Sequence, residues 1–76
     1  MGTTISVYVD GMMDINTATI SDLIQIPGIG EMIAHNIVAY RENNGPFNTV
    51  NELLQVEGIG EGRLSTLLEY VTVSGG

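Results

Sequence analysis

Lysine, cysteine and tryptophan are all missing from this sequence, and phenylalanine occurs once, at Phe47. Without cysteine there is neither a disulfide framework nor a thiolate metal site. Without lysine, Arg41 and Arg63 alone stand against nine acidic residues, and the formal net charge is −7. So acidic a chain is repelled at long range by nucleic-acid backbone and by anionic membrane. Hydrophobic residues make up 43% of the composition, yet they never run unbroken for the length that spans a bilayer, so this segment is not expected to insert. Met1-Gly2-Thr3-Thr4 has no basic lead, which argues against a secretory signal there. At 76 residues there is room for one domain and one small core.

What the chain does have is an internal repeat. Leu23-Ile24-Gln25-Ile26-Pro27-Gly28-Ile29-Gly30-Glu31 returns thirty positions later as Leu53-Leu54-Gln55-Val56-Glu57-Gly58-Ile59-Gly60-Glu61. The same offset pairs Tyr40 with Tyr70, Asp22 with Glu52 and Ile37 with Leu67. Self-similarity at a fixed period marks a duplicated supersecondary unit. Both copies open on a capping box, Thr19-Ile20-Ser21-Asp22 and Thr49-Val50-Asn51-Glu52: the Thr hydroxyl accepts an early helix amide and the acid reaches back. A short apolar helix follows, then Gly-Ile-Gly, then a longer helical segment. Glycine permits the tight turn, and the Ile between the glycines plugs the space between the two helices. The unit is helix, hairpin, helix, and neither copy buries its apolar side alone.

In chain order, Ile5-Ser6-Val7-Tyr8-Val9 alternates and is β-branched, a short strand signal, and Asp10-Gly11 reads as a turn. Its one candidate partner is Val71-Thr72-Val73. Helices are expected at Ile20–Ile26, Glu31–Glu42, Val50–Val56 and Glu61–Tyr70. Asn43-Asn44-Gly45 and Pro46 stop the second of them, and Phe47 anchors the connector. The fold class is all-α in the main: four to five short helices in two pseudo-symmetric hairpins, with a short strand pair joining the ends. The boundaries are a leader or strand at 1–13, a tandem domain at 14–73 (repeat one 16–45, repeat two 46–73) and a tail at 74–76.

Catalysis finds no footing, since no Ser-His-acid set and no spaced carboxylate pair stands out. No cofactor is expected. His35 is alone and reads as an exposed helix residue. Asp10, Asp14 and Asn16 lack the alternating calcium-loop pattern and read as turn and capping residues. Met12-Met13 reads as core filling, and Arg41 as half of a surface ion pair of small weight.

Asn16-Thr17-Ala18, Ile26-Pro27-Gly28-Ile29-Gly30, Ala39-Tyr40-Arg41-Glu42-Asn43-Asn44-Gly45-Pro46-Phe47 and Gly58-Ile59-Gly60 together resemble the tandem helix-hairpin-helix domain of competence DNA-uptake receptors (ComEA type). The resemblance covers Asp14 to Val73. It implies double-stranded DNA bound without sequence reading, with backbone amides of Gly28, Ile29 and Gly30 holding one phosphate and those of Gly58, Ile59 and Gly60 another. It also implies an extracytoplasmic or cell-surface setting and a site for a monovalent cation on the main-chain carbonyls of Ile24, Ile26 and Ile29. The domain is expected to be a monomer. Family members usually place lysines in the first turn after each hairpin. Here those positions hold Glu31, Met32 and Ile33, then Glu61, Gly62 and Arg63, so Arg63 is the single cation for the task. The competing reading is an acidic protein–protein or structural module that keeps the fold without DNA affinity.

Overall fold

The computed structural model describes residues 8–9 and 11–73. Ile5–Val7 of the expected first strand, Asp10 of the turn, and the tail 74–76 lie outside them. Along the chain come β1 (Tyr8–Val9), β2 (Met12–Asp14), α1 (Ile20–Leu23), α2 (Glu31–Asn44), a 3₁₀ helix (Val50–Gln55), α3 (Glu61–Leu67) and β3 (Val71–Thr72).

The duplicated sequence produces a duplicated burial pattern. Residues 21–30 and 51–60 bury the same three of their ten positions: Leu23, Ile26 and Ile29 in one copy, Leu53, Val56 and Ile59 in the other. In the helices that follow, Ala34 and Ile37 match Leu64 and Leu67. Both sets join Ile15, Ala18, Phe47 and Val71 in one core cluster. Neither copy could shield this much apolar surface alone, and burying a single Leu or Ile is worth about 1.5–3 kcal/mol.

Helix starts follow the caps. The Thr19 hydroxyl accepts the Asp22 amide at 3.1 Å while the Asp22 carboxylate accepts the Thr19 amide at 2.9 Å. In the second copy the Glu52 carboxylate accepts the Thr49 amide at 3.1 Å and the Asn48 amide as well. Two helices, α1 and α3, end earlier than periodicity suggests. α1 closes at Leu23 because the next amides bond three residues back, Gln25 to Asp22 and Ile26 to Leu23, both at 3.1 Å. α3 tightens in the same way, with Tyr70 donating to Leu67 at 2.8 Å, because Tyr70 must turn its carbonyl to the Met13 amide. The segment after Thr49 is a 3₁₀ helix rather than an α-helix. Its six residues begin with Val50 and Asn51, both poor helix formers. α2 runs two residues beyond Glu42 and stops at Gly45, whose φ of +88° suits glycine alone.

The strand expectation needs correcting. Val71–Thr72 pairs not with the first strand but with β2, in parallel, in the register Met13–Val71 and Asp14–Thr72. β1 pairs antiparallel with the other side of β2. The sheet order is therefore β1-β2-β3, and Met13, read as filling, is both a central-strand residue and core. Asp14 is buried; its carboxylate accepts the Asn16 amide at 2.9 Å and its carbonyl the Ala18 amide at 3.0 Å, which turns the chain toward α1.

Two further contacts hold the repeats in register. The Asn16 side chain donates to the Phe47 carbonyl at 2.9 Å and accepts the Phe47 amide at 2.7 Å. Phe47 in turn stacks on Tyr40, ring centres 5.1 Å apart. Arg41 is not half of a surface ion pair. It is half-buried, and its Nη1 donates to the Ile15 carbonyl at 2.8 Å, tying α2 to the entry of the first repeat.

Candidate functional site

The two Gly-Ile-Gly turns have the same internal geometry. Gly28 and Gly58 have φ of +88° and +97°, a region that a side chain disfavours, so here the turn itself requires glycine. Ile29 and Ile59 bury their side chains and spend their amides inside the turn, on the carbonyls of Ile26 and Val56 at 3.0 and 3.1 Å. Their part in any cradle is thus to hold the turn, and the outward amides belong to the glycines and to the first helical turn beyond.

Gly30 and Gly60 are different. They are the N-caps of α2 and α3, at φ −92° and −103° with extended ψ, which any residue adopts. A Cβ on either would meet nothing within 4 Å. Neither α2 nor α3 has a side-chain N-cap hydrogen bond, in contrast to the Thr19 cap of α1. The first amides of a helix have no intrahelical partner, so each hairpin presents uncapped N–H groups over open space, at the positive end of a helix dipole.

Arg63, in the first turn of α3, donates its Nη1 to the Gly58 carbonyl at 3.0 Å and lies on the surface beside the hairpin. Arg41 is half-buried and spends one N–H on Ile15, whereas Arg63 is exposed beside a hairpin, so Arg63 is the guanidinium placed to meet a ligand at these turns. Glu31, Met32, Glu57 and Glu61 flank the hairpins and are exposed. His35 is exposed on α2. Among the described residues no group of three or more His, Cys, Asp or Glu is placed to hold a metal. None of the described helices is long and apolar enough to cross a membrane.

Between the hairpins lies a groove of about 440 Å³, lined by Pro27 and Gly28 from the first and by Gly60, Arg63 and Thr66 from the second. Sequence reading picked Gly28, Gly60 and Arg63 but missed Pro27 and Thr66. The repeat differs at 27/57 and 36/66, but it differs at many other positions too, so nothing in the sequence set Pro27 and Thr66 apart.

Two hairpins of this geometry, each leading from a short capped helix into a glycine-capped one and packed about a shared core, define a tandem helix-hairpin-helix domain. Residues 10–72 match the helix-hairpin-helix motif family, and the chain belongs to it. It is 42% identical over 72 residues to ComE operon protein 1 of Bacillus subtilis, covering 90% of this chain and 35% of that protein. It is 38% identical over 64 residues to the transcriptional accessory protein Tex of Neisseria gonorrhoeae, covering 84% of this chain and 8% of Tex. Half of the chain is 45% identical, over 38 residues, to endonuclease/exonuclease/phosphatase family domain-containing protein 1 of Mus musculus, covering 7% of that protein. The chain thus spans about a third of the Bacillus relative and a small part of the others.

Proposed function

We propose that this domain is a non-enzymatic module that binds double-stranded DNA without reading its sequence, of the type found in competence DNA-uptake receptors. The observation that carries the reading is the second glycine of each hairpin. Neither backbone angle nor packing requires glycine at 30 or 60, yet both copies have it, and the space it leaves lies over uncapped helix amides. A phosphate oxygen approaching those amides is the ligand that such bare, positively polarised N–H groups suit.

Each hairpin then holds one phosphate. Gly28 and Gly58 set the turn, Ile29 and Ile59 lock it from beneath, and the amides at and beyond Gly30 and Gly60 donate. Arg63 adds one side-chain charge at the second hairpin. Carbonyls of Ile24, Ile26 and Ile29 offer a monovalent cation a seat at the first; Ile26 already accepts the Ile29 amide, but a carbonyl oxygen keeps a second lone pair. The cation would offset phosphate charge there. Holding DNA for a machine at the cell surface, outside the cytoplasm, belongs to the same proposal, as does a monomeric state.

Charge limits the strength. One neutralising side chain gives a slope of affinity against salt, both logarithmic, of about −0.9, where a strong binder makes roughly six to ten phosphate contacts. Each helix dipole adds on the order of 0.3–1 kcal/mol. Binding is therefore weak and confined to low salt. The acids around the second hairpin favour the second reading, an interaction module that has kept the fold. An amide chemical-shift titration with a short duplex separates the two. Shifts confined to Gly28–Met32 and Gly58–Arg63 that fade with salt support DNA binding, and their absence at low salt leaves the protein-partner reading.

A further inference from the structure

The repeat makes two seams between the hairpins equivalent, and only one of them is closed. On the closed side Ile33 covers Gly58, its Cγ1 3.3 Å from where a Cβ on that glycine would lie. Beside it the Asn36 side-chain amide donates to the Glu57 carbonyl at 3.0 Å. On the other side, thirty positions away along the repeat, Arg63 replaces Ile33, Thr66 replaces Asn36, Pro27 replaces Glu57 and Gly28 replaces Gly58. These four residues, with Gly60, are the ones that line the open groove. Where the isoleucine plugs its seam, Arg63 bends back to the Gly58 carbonyl of its own hairpin. The groove is what that difference leaves.

Its chemistry is out of keeping with the rest of the chain. The sequence has nine acids and two arginines, but the lining contains one arginine and no acid. The other arginine is tied to Ile15. Arg63 keeps guanidinium N–H groups beyond the one given to Gly58, the Thr66 hydroxyl can donate, and Pro27 supplies an apolar wall. We infer that the open seam seats one sugar–phosphate unit of a DNA strand, the phosphate against Arg63 and Thr66 and the sugar against Pro27. This rests on the DNA reading above and makes the two sides of the domain unequal: one strand enters the seam between the hairpins, while on the other side Ile33 and Asn36 occupy the corresponding place.

The test uses a fluorescent duplex of about one helical turn, roughly ten base pairs, at low salt, with binding followed by anisotropy and by amide shifts. Thr66→Val removes the hydroxyl, keeps the shape and leaves the charge alone; affinity should fall about three- to tenfold, as for one lost hydrogen bond, with the salt slope unchanged. Ser65→Ala, next to it but outside the groove, should bind as the parent does. Arg63→Ile combined with Thr66→Asn copies the closed seam and should abolish the shifts at Gly28 and Gly60, with thermal melts showing that each variant folds. If the parent binds duplex with shifts at both hairpins while Thr66→Val binds equally well, the seam is not the seat, although the DNA reading stands. If the parent shows no binding at all, both fall together.

Discussion

Replacing the two glycines of the second hairpin one at a time should change stability and binding in opposite senses. Gly58 has φ of +97°, where a side chain costs about 1–2 kcal/mol. The Ile33 Cγ1, 3.3 Å from the new Cβ, must also give way slightly. Gly58→Ala should therefore lower Tm by roughly 5–15 °C, at about 4–8 °C per kcal/mol for a domain of this size. Gly60 lies at φ −103° and ψ −172° with open space where a Cβ would go. Gly60→Ser costs no strain, adds a side-chain cap worth a few tenths of a kcal/mol over glycine, and restricts the unfolded chain by about 0.4–1 kcal/mol. Its Tm should rise by a few degrees. The same hydroxyl accepts the α3 amide that a phosphate would use, and it stands in the phosphate's path. Duplex affinity should fall about tenfold or more, the scale of one hydrogen bond to a charged group. Thermal unfolding by circular dichroism and duplex titration at low salt measure the two effects. A Gly60→Ser protein that melts several degrees below the parent would refute the claim that the fold leaves this position free. One that is stabilised yet binds DNA unchanged would refute the amide cradle.

Arg63→Ala should leave Tm nearly unchanged, within about 0.5 kcal/mol, as for most surface positions, while the salt dependence of duplex binding loses close to one logarithmic unit of slope; an unchanged slope would show that Arg63 meets no phosphate. Arg41→Met keeps much of the apolar stem but strands the Ile15 carbonyl, and should cost about 1–3 kcal/mol in denaturant unfolding; a loss under roughly 0.5 kcal/mol, typical of exposed positions, would restore the solvated-surface view of this residue. Asn16→Ala removes both bonds to the Phe47 backbone, leaves a buried donor and acceptor unmet, and should cost about 2 kcal/mol or more. Asn16→Asp, which keeps the acceptor and loses the donor, should fall between it and the parent, and equal melting of all three would mean that the connector is held by the Tyr40–Phe47 stack alone.

How much of this could be read from the residues depended on how far apart the interacting groups stand in the chain. Leu23, Ile26, Ile29 and their counterparts thirty positions on are legible because local spacing and repetition both point the same way, and the structure buries every one of them. The Thr19 cap is legible for the same reason, its partner being three residues off. β2 was not legible: Met12-Met13-Asp14 is too short to show alternation, and its strand character comes from the Tyr70 and Thr72 carbonyls, which receive the Met13 and Ile15 amides at 2.8 and 3.0 Å. Arg41 was misread for the same reason, and Asn16, a turn residue as expected, hid its second role, since each finds a backbone partner more than twenty residues away and sequence spacing says nothing of such pairs.

The site itself was legible in what the two copies share and obscure in what they do not. Matching Gly-Ile-Gly segments located both turns, but matching could not reveal that the first glycine is demanded by backbone angle and the second is not. That distinction needs φ: +88° and +97° at Gly28 and Gly58, against −92° and −103° at Gly30 and Gly60. A glycine that the fold needs says nothing about function. One that the fold could replace, present twice above uncapped amides, points outward to a ligand. Mismatch is informative by the opposite route. Ile33 against Arg63 and Asn36 against Thr66 look like ordinary drift between duplicated halves until the packing shows that Ile33 and Asn36 close one seam while Arg63 and Thr66 leave the other open. In a pseudo-symmetric fold each half is the internal control for the other, and an asymmetry that leaves a cation beside an acid-free groove, in so acidic a chain, is where binding should be sought first.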